Sequence, residues 1–335
     1  MLPLLATLLL APALDLRAPA FDRLAWTPAP GSVLERSFES ELALAVESVE
    51  VLFNGVDRTP EEQLEALPRT TRSQRIVVRD GLDGVGPFWP TRMTRRFLEA
   101  ERATTTALGE AQPQPEEPRR SPLVDQEVVF LWLDEEGAHR KLYVGERGEA
   151  ALLEGLEEDL DLRGLLPRGS IEVDERWRVD PRALGPWLRP GGDLALAADA
   201  ESGRIEEMLR RTLVGELWAT YAGVREEDGR RLGVVRLEGE LQSGGALDLG
   251  RAAMATSDKS LEERWTLDLG GEVTWDLEHG HLSAGRIDAR VEVERLERYE
   301  LVESGGEGEP EREIVILHRT RSAGELQLSA SVRRR

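Results

Sequence analysis

Between Trp265 and Leu277 apolar side chains stand at every odd position except Gly271: Trp265, Leu267, Leu269, Val273, Trp275 and Leu277. The even positions between them are all polar, charged or glycine. A period of two over this length specifies a strand with one buried and one wet face. At roughly 3.3 Å per residue the strand reaches on the order of 40 Å, so the sheet it joins must twist or curve. Gly270-Gly271 reads as a bulge or bend in it. The chain turns at Glu278-His279-Gly280-His281 and returns through Leu282 and Ala284. Gly285 then shifts the phase, and Ile287, Ala289, Val291 and Val293 alternate. Leu213–Val224 pairs with Leu232–Leu241 around Glu226-Glu227-Asp228-Gly229, and Ile314–Leu317 with Leu326–Val332 around Ser322-Ala323-Gly324. Residues 205–335 therefore read as an antiparallel meander of long strands, opened by a short helix at Ile205–Arg211.

The first half is also rich in strands. Leu42, Leu44 and Val46 share one phase, while Val49, Val51 and Phe53 share the other, ahead of an Asn54-Gly55 turn. Thr59-Pro60-Glu61-Glu62 has the cap, proline and acids of a short helix start. Ile76 and Val78 alternate with charged residues, Asp80-Gly81 and Asp83-Gly84 read as turns, and 91–103 reads as a strand with Met93 and Phe97 inward. Four prolines make 109–122 an exposed loop, and EVVFLWL with RKLYV form a hairpin around 134–137. Leucines near helical spacing, closed by Pro167, predict a helix over 148–166. The resulting fold class is α+β: a long antiparallel, twisted or curved sheet with one or two packed helices. Its organisation is a signal peptide (1–20), a linker (21–32), a strand-rich half with its helix (33–166), a Pro/Gly-rich crossover (167–204) and the meander (205–335).

Charge narrows the function. The 335 residues hold 64 Asp plus Glu against 43 Lys plus Arg, a net charge of -21. That balance opposes nucleic acid and anionic membrane surfaces. With no cysteine there can be no disulfide, thiolate metal site or cysteine lipid anchor. Residues 1–14 are uncharged and rich in leucine and alanine, and Ala18-Pro19-Ala20 offers a small-residue cleavage pattern. This predicts export, periplasmic or extracellular, with no transmembrane segment in the mature chain.

Little in the chain points to catalysis. His279 and His281 could share a metal, but they sit in a turn with no third ligand nearby in sequence. The acidic clusters Glu157, Glu158, Asp159 and Asp161, and Glu226, Glu227 and Asp228, read as solvated surface, and Asp80-Gly-Leu-Asp83-Gly lacks the ligand order of a calcium loop. There is no phosphate-binding loop, nucleophile elbow or zinc-protease motif. No catalytic, cofactor-binding or metal residue is assigned, and no cofactor is expected. Eight tryptophans against three tyrosines draw attention to Trp265 and Trp275. With Leu267, Leu269, Val273 and Leu277 they form a candidate apolar face on the concave side of a curved sheet.

The segments LLPRGSIEVDERWRVDPRAL (165–184), YAGVREEDGRRLGVVRLEGEL (221–241) and GGEVTWDLEHGHL (270–282) resemble those of exported bacterial proteins of domain-of-unknown-function type. In that group a Val-Gly-acid-x-Trp phrase follows the helix; here Val173, Asp174, Glu175, Arg176 and Trp177 stand in its place, with Asp174 replacing the glycine. The architecture also resembles periplasmic lipoprotein carriers, a likeness of fold rather than of site. The long alternating strands carrying Trp265 and Trp275 lead to the expected role, a non-catalytic envelope protein holding a lipid or other apolar ligand on the concave sheet face. The alternatives are a structural or interaction module with an envelope-protein partner, and a carboxylate-dependent hydrolase.

Overall fold

In a computed structural model, which describes residues 22–61, 66–133, 138–145, 148–251, 257–303 and 312–335, the alternating segments build one antiparallel sheet. The expected signal peptide (1–20), most of the helix read after Thr59 and the turn 134–137 lie outside the described residues. Among the described residues there are fourteen strands. The first eight are β1 (Ser32–Phe53), β2 (Val56–Asp57), β3 (Pro68–Val85), β4 (Pro90–Leu108), β5 (Gln114–Pro115), β6 (Arg119–Arg120), β7 (Glu127–Leu133) and β8 (Ala138–Tyr143). The rest are β9 (Arg176–Val179), β10 (Val214–Glu227), β11 (Arg230–Arg251), β12 (Ser257–Asp276), β13 (His281–Glu303) and β14 (Arg312–Arg334). Their order is β8-β7-β4-β3-β1-β14-β13-β12-β11-β10-β9, with β2, β5 and β6 as short additions. β1 lies between β3 and β14, pairing Leu34 with Arg334 and Phe53 with Ile316. The two strand-rich halves are therefore one sheet, joined through the two ends of the described chain.

The two phases of β1 meet at a bulge between Val46 and Ser48, which moves the inward positions by one residue. A second bulge beside Ser283 does the same in β13, two residues ahead of Gly285. Gly270-Gly271 forms no bulge, for the ladder on both sides runs through it unbroken. β3 likewise continues through Asp80-Gly81 as strand.

The α+β expectation is overturned. The sheet is the fold, and the α-helices bounded within the described residues are α1 (Ala151–Glu154), α2 (Gly185–Leu188) and α3 (Ala200–Arg211). Across 148–166 only α1 and a 3-10 turn at Arg163–Leu165 are helical. The leucines there are buried as expected, but by an irregular strap (148–198) crossing the inner face. Tertiary partners replace the helical hydrogen bonds. Glu157 N–H donates to the Gly191 carbonyl (2.9 Å), Asp193 N–H donates to the Gly155 carbonyl (2.7 Å), and the Asp159 carboxylate accepts from the Asp161 amide (2.9 Å). At Gly192 (φ +85°) a side chain would meet the Gly155 carbonyl, so glycine is required where the strap folds back on itself.

The strap seals part of the inner face with Leu160, Leu162, Leu165, Ile171, Leu184 and Trp187. Trp187 lies directly on Gly285 of β13, where any side chain would collide with the indole. The outer face instead carries cross-strand ion pairs, such as Arg79–Glu35 (2.9 Å), Arg225–Glu272 (2.9 Å) and Arg319–Glu50 (2.9 Å). Such exposed pairs add little stability, but they place the acidic excess against water. A barrel wall turned to lipid would carry an apolar band there. No helix among the described residues is long and apolar enough to cross a membrane.

Candidate functional site

Beyond the strap the inner face is roofed by α3. Asp199 caps this helix by accepting from the Ser202 amide (2.7 Å), Glu201 occupies its first turn, and Arg210 and Arg211 its last, each sign suited to the helix dipole. Its C-terminal end is tied to β11, where Thr212 Oγ1 accepts from the Gly244 amide (3.0 Å). Its middle reaches across to β4 through Glu206, which pairs with Arg102 (2.6 Å), and its start to β12 through Glu201 and Lys259 (2.9 Å). The helix is held at its ends and flanks, and the space beneath it is left unfilled.

That space is a cavity of about 360 Å³. Leu42, Leu44, Leu267, Val293, Leu326 and Leu328 form its floor, with Trp265 at one side; Leu188, Ile205, Leu209 and Leu213 form its roof. The polar groups gather at its borders. Arg102 donates to Gln74 Oε1 through Nε (3.0 Å) and Nη2 (2.8 Å), and Arg72 Nη1 stands 3.6 Å from Glu206. Desolvation, followed by the neighbouring Arg102 charge, pulls Arg72 below the ordinary arginine pKa. On the opposite border the Trp265 indole N–H donates to buried Glu263 (2.6 Å), which lies 3.5 Å from Arg295.

The six residues of the sequence-derived face divide between two environments. Trp265 and Leu267 line the cavity. Leu269, Val273 and Trp275 are buried in the core, where Trp275 Nε1 donates to the Ala25 carbonyl (3.0 Å), and Leu277 packs at its margin. Sequence reading missed Arg72, Gln74 and Arg102. The available signal was charged or amide side chains on the inward phase of β3 and β4, in line with Ile76, Val78 and Ala100.

The same signal marks a second missed constellation beneath the strap. Arg36, Asp80 and Arg95 point inward among Leu34, Phe38, Leu82, Met93 and Phe97 and are almost wholly buried. Arg95 grips Asp80 with both nitrogens of its fork (2.8 and 2.9 Å) and donates to the strap carbonyls of Glu157 (2.7 Å) and Glu158 (2.9 Å). Arg36 bridges Asp80 (2.7 Å) to Asp161 of the strap (2.7 Å), whose carboxylate also accepts from Trp26 Nε1 (2.8 Å). Burial opposes ionisation of Asp161, but Arg36 outweighs it and holds the carboxyl below the ordinary range. These charges fasten the strap. They form no acid–base pair facing a cleft.

The histidines stand apart in role. His279 Nδ1 contacts the Asp276 carboxylate (3.1 Å) within the turn. His281 is buried, bonded through Nδ1 to the Leu282 carbonyl (2.6 Å), and burial lowers its pKa. Among the described residues no group of three or more His, Cys, Asp or Glu could hold a metal ion. The acids at 226–228 are exposed at the β10–β11 turn. Burial raises the Glu158 carboxyl against the opposing charge of Arg163, its ion-pair partner, away from the cavity.

No family model matches this chain, and no curated protein matches it. Among solved structures, an outer membrane channel from Pseudomonas putida F1 aligns at 10% identity over 89% of this chain and 97% of its own, with a TM-score of 0.18. OprB of Pseudomonas putida aligns at 9% over 89% and 93% (TM-score 0.22), and OccK7 of Pseudomonas aeruginosa at 6% over 90% and 99% (TM-score 0.19). Scores this low establish no shared fold. The functional reading therefore rests on the chain's own residues.

Proposed function

We propose that this chain is an exported, non-catalytic binding protein of the cell envelope that holds an apolar ligand between α3 and the inner face of the sheet. The observation that carries the reading is the cavity itself: about 360 Å³, lined by leucine, isoleucine and valine side chains together with charged and polar ones such as Arg72, Arg102 and Glu206. Its volume and composition are those of a small-molecule site, roughly 300–1,000 Å³ and mostly apolar with a few placed polar groups. The uncharged leucine-rich start of the chain and the resemblance of 165–184, 221–241 and 270–282 to exported bacterial proteins support the same assignment. Native mass spectrometry of the chain recovered after export tests it. A bound apolar species that dissociates on activation is the expected result; a bare chain that also fails to take up an added neutral fluorescent probe would oppose the proposal.

A second reading, an interaction module, draws on one other feature. Phe88, Trp89 and Trp132 stack at the far end of the β3–β4 and β7–β8 hairpins, with ring centroids 5.8 and 4.3 Å apart, and Phe88 is 67% exposed. Exposed aromatic clusters are common at protein interfaces. A partner that binds the wild-type chain but not Phe88→Ser would favour this reading.

A further inference from the structure

The charge around the cavity is unevenly balanced, and the imbalance identifies an occupant. Arg189 is answered by Asp193 (2.9 Å) and Glu207 (3.0 Å), Arg210 by Glu157 (2.7 Å) and Glu207 (2.9 Å), and Arg295 by Glu297 and Glu263. Arg72 and Arg102 differ. They stand on the inward faces of adjacent strands and share one carboxylate, Glu206; the other group bound to Arg102 is the neutral Gln74. Glu116 and Glu263 act on Arg72 only at longer range. In a chain with a net charge of -21, two guanidinium groups and one carboxylate at the edge of an apolar cavity leave one cation unanswered among the described residues.

We infer that the occupant is a single-chain amphiphile ending in a carboxylate, with its head between Arg72 and Arg102 and its chain running beneath α3 over Leu42 and Leu326. This deepens the binding-protein reading and rests on it. A carboxylate fits because these guanidinium groups already hold one from Glu206, and the planar arginine fork matches two oxygens. A second carboxylate would bring the local balance to two against two. A single chain fits because about 360 Å³ lies at the low end of the ligand-pocket range of roughly 300–1,000 Å³. Glu206 lies on the roof helix, so the incoming head competes for the contact that holds α3 to β4.

The test compares cis-parinaric acid with its methyl ester on the full mature chain, by fluorescence titration. The acid is expected to bind at least about 10-fold tighter, the order that charge-assisted hydrogen bonds supply. In Arg72→Gln/Arg102→Gln the ratio of acid to ester affinity is expected to fall to about one. Arg72→Gln alone, at a side chain 42% exposed, should remove part of the preference and serves if the double variant does not fold. Glu206→Gln is expected to strengthen acid binding by freeing both guanidinium groups. Equal affinity of acid and ester in the wild-type chain overturns the carboxylate inference and leaves the binding-protein reading standing. Tighter binding of dodecyl phosphate than of dodecanoate also overturns it, in favour of a phosphate head. If neither acid nor ester binds, both readings fail.

Discussion

The inner face of the sheet is covered in two ways, and the contrast between them separates structure from function. On the side of Arg36, Asp80 and Arg95 the strap is pinned by buried charges and packed with leucine and tryptophan. On the side of Leu42, Leu326 and Trp265 the roof is mainly α3, fixed at its ends and flanks, with Leu188 of α2 beside it, over an unfilled space. Both regions use arginine on an inward strand position, with opposite consequences. Buried arginines gripping aspartates and strap carbonyls make a fastening; arginines at a cavity border sharing one glutamate make a place for a ligand.

The largest expected effect falls on the fastened side. Arg36→Met leaves Asp80 short of one partner and Asp161 without its guanidinium, both buried, and should cost about 3–5 kcal/mol in urea unfolding. Arg102→Met, which releases only Glu206 and Gln74 at the cavity border, should cost no more than about 2 kcal/mol. Equal losses would erase the distinction between the two sides. An apolar pair gives the next contrast. Leu160→Ala, in the packed strap, should cost about 2–5 kcal/mol, whereas Leu209→Ala, whose side chain already borders empty volume, should cost under about 1 kcal/mol.

The smallest effect concerns acid. His281 is buried beneath the strap and its folded pKa lies below the ordinary 6.5. In the window below 6.5 the unfolded chain binds the proton that the folded chain refuses, so stability is retained above that pH and declines as pH falls through it. Asp161, also held low, adds its own loss only below the ordinary carboxylate value of 3.8. Thermal melts between pH 7 and pH 5 should show the decline in the wild-type chain and a shallower one in His281→Gln. An identical pH slope in both would remove His281 from the account.

How much of this was legible in the sequence follows from which interactions are local. Strand identity and inward phase were readable wherever alternation was strict, as from Trp265 to Leu277, and even the bulge in β1 was visible as the shift from Val46 to Val49. The pairing of β1 with β14 was not, because it joins residues 300 apart whose patterns would suit many neighbours. The helix expected over 148–166 failed because leucine spacing reports burial and not backbone path. Once Arg95, Gly191 and Asp159 had taken the strap's hydrogen-bonding groups, leucines at helical spacing were buried without a helix. Two of the six residues of the candidate face, Trp265 and Leu267, came out within the site, since alternation tells which side of a strand is covered and not whether the cover leaves a space. The inward charges of Arg36, Asp80, Arg95, Arg72 and Arg102 were in plain view in sequence. Their meaning depended on neighbours from other strands and from the strap.

The most direct test of a hollow side built for a ligand is titration of the mature chain with the neutral fluorophore N-phenyl-1-naphthylamine, set beside Leu209→Trp. The indole there should occupy the cavity with little loss of stability, because it enters space that is already empty. The structure predicts saturable binding at one site in the wild-type chain and its loss in Leu209→Trp at an unchanged melting temperature. Saturable binding that persists undiminished in the filled variant, or no binding in the wild-type chain, would contradict it.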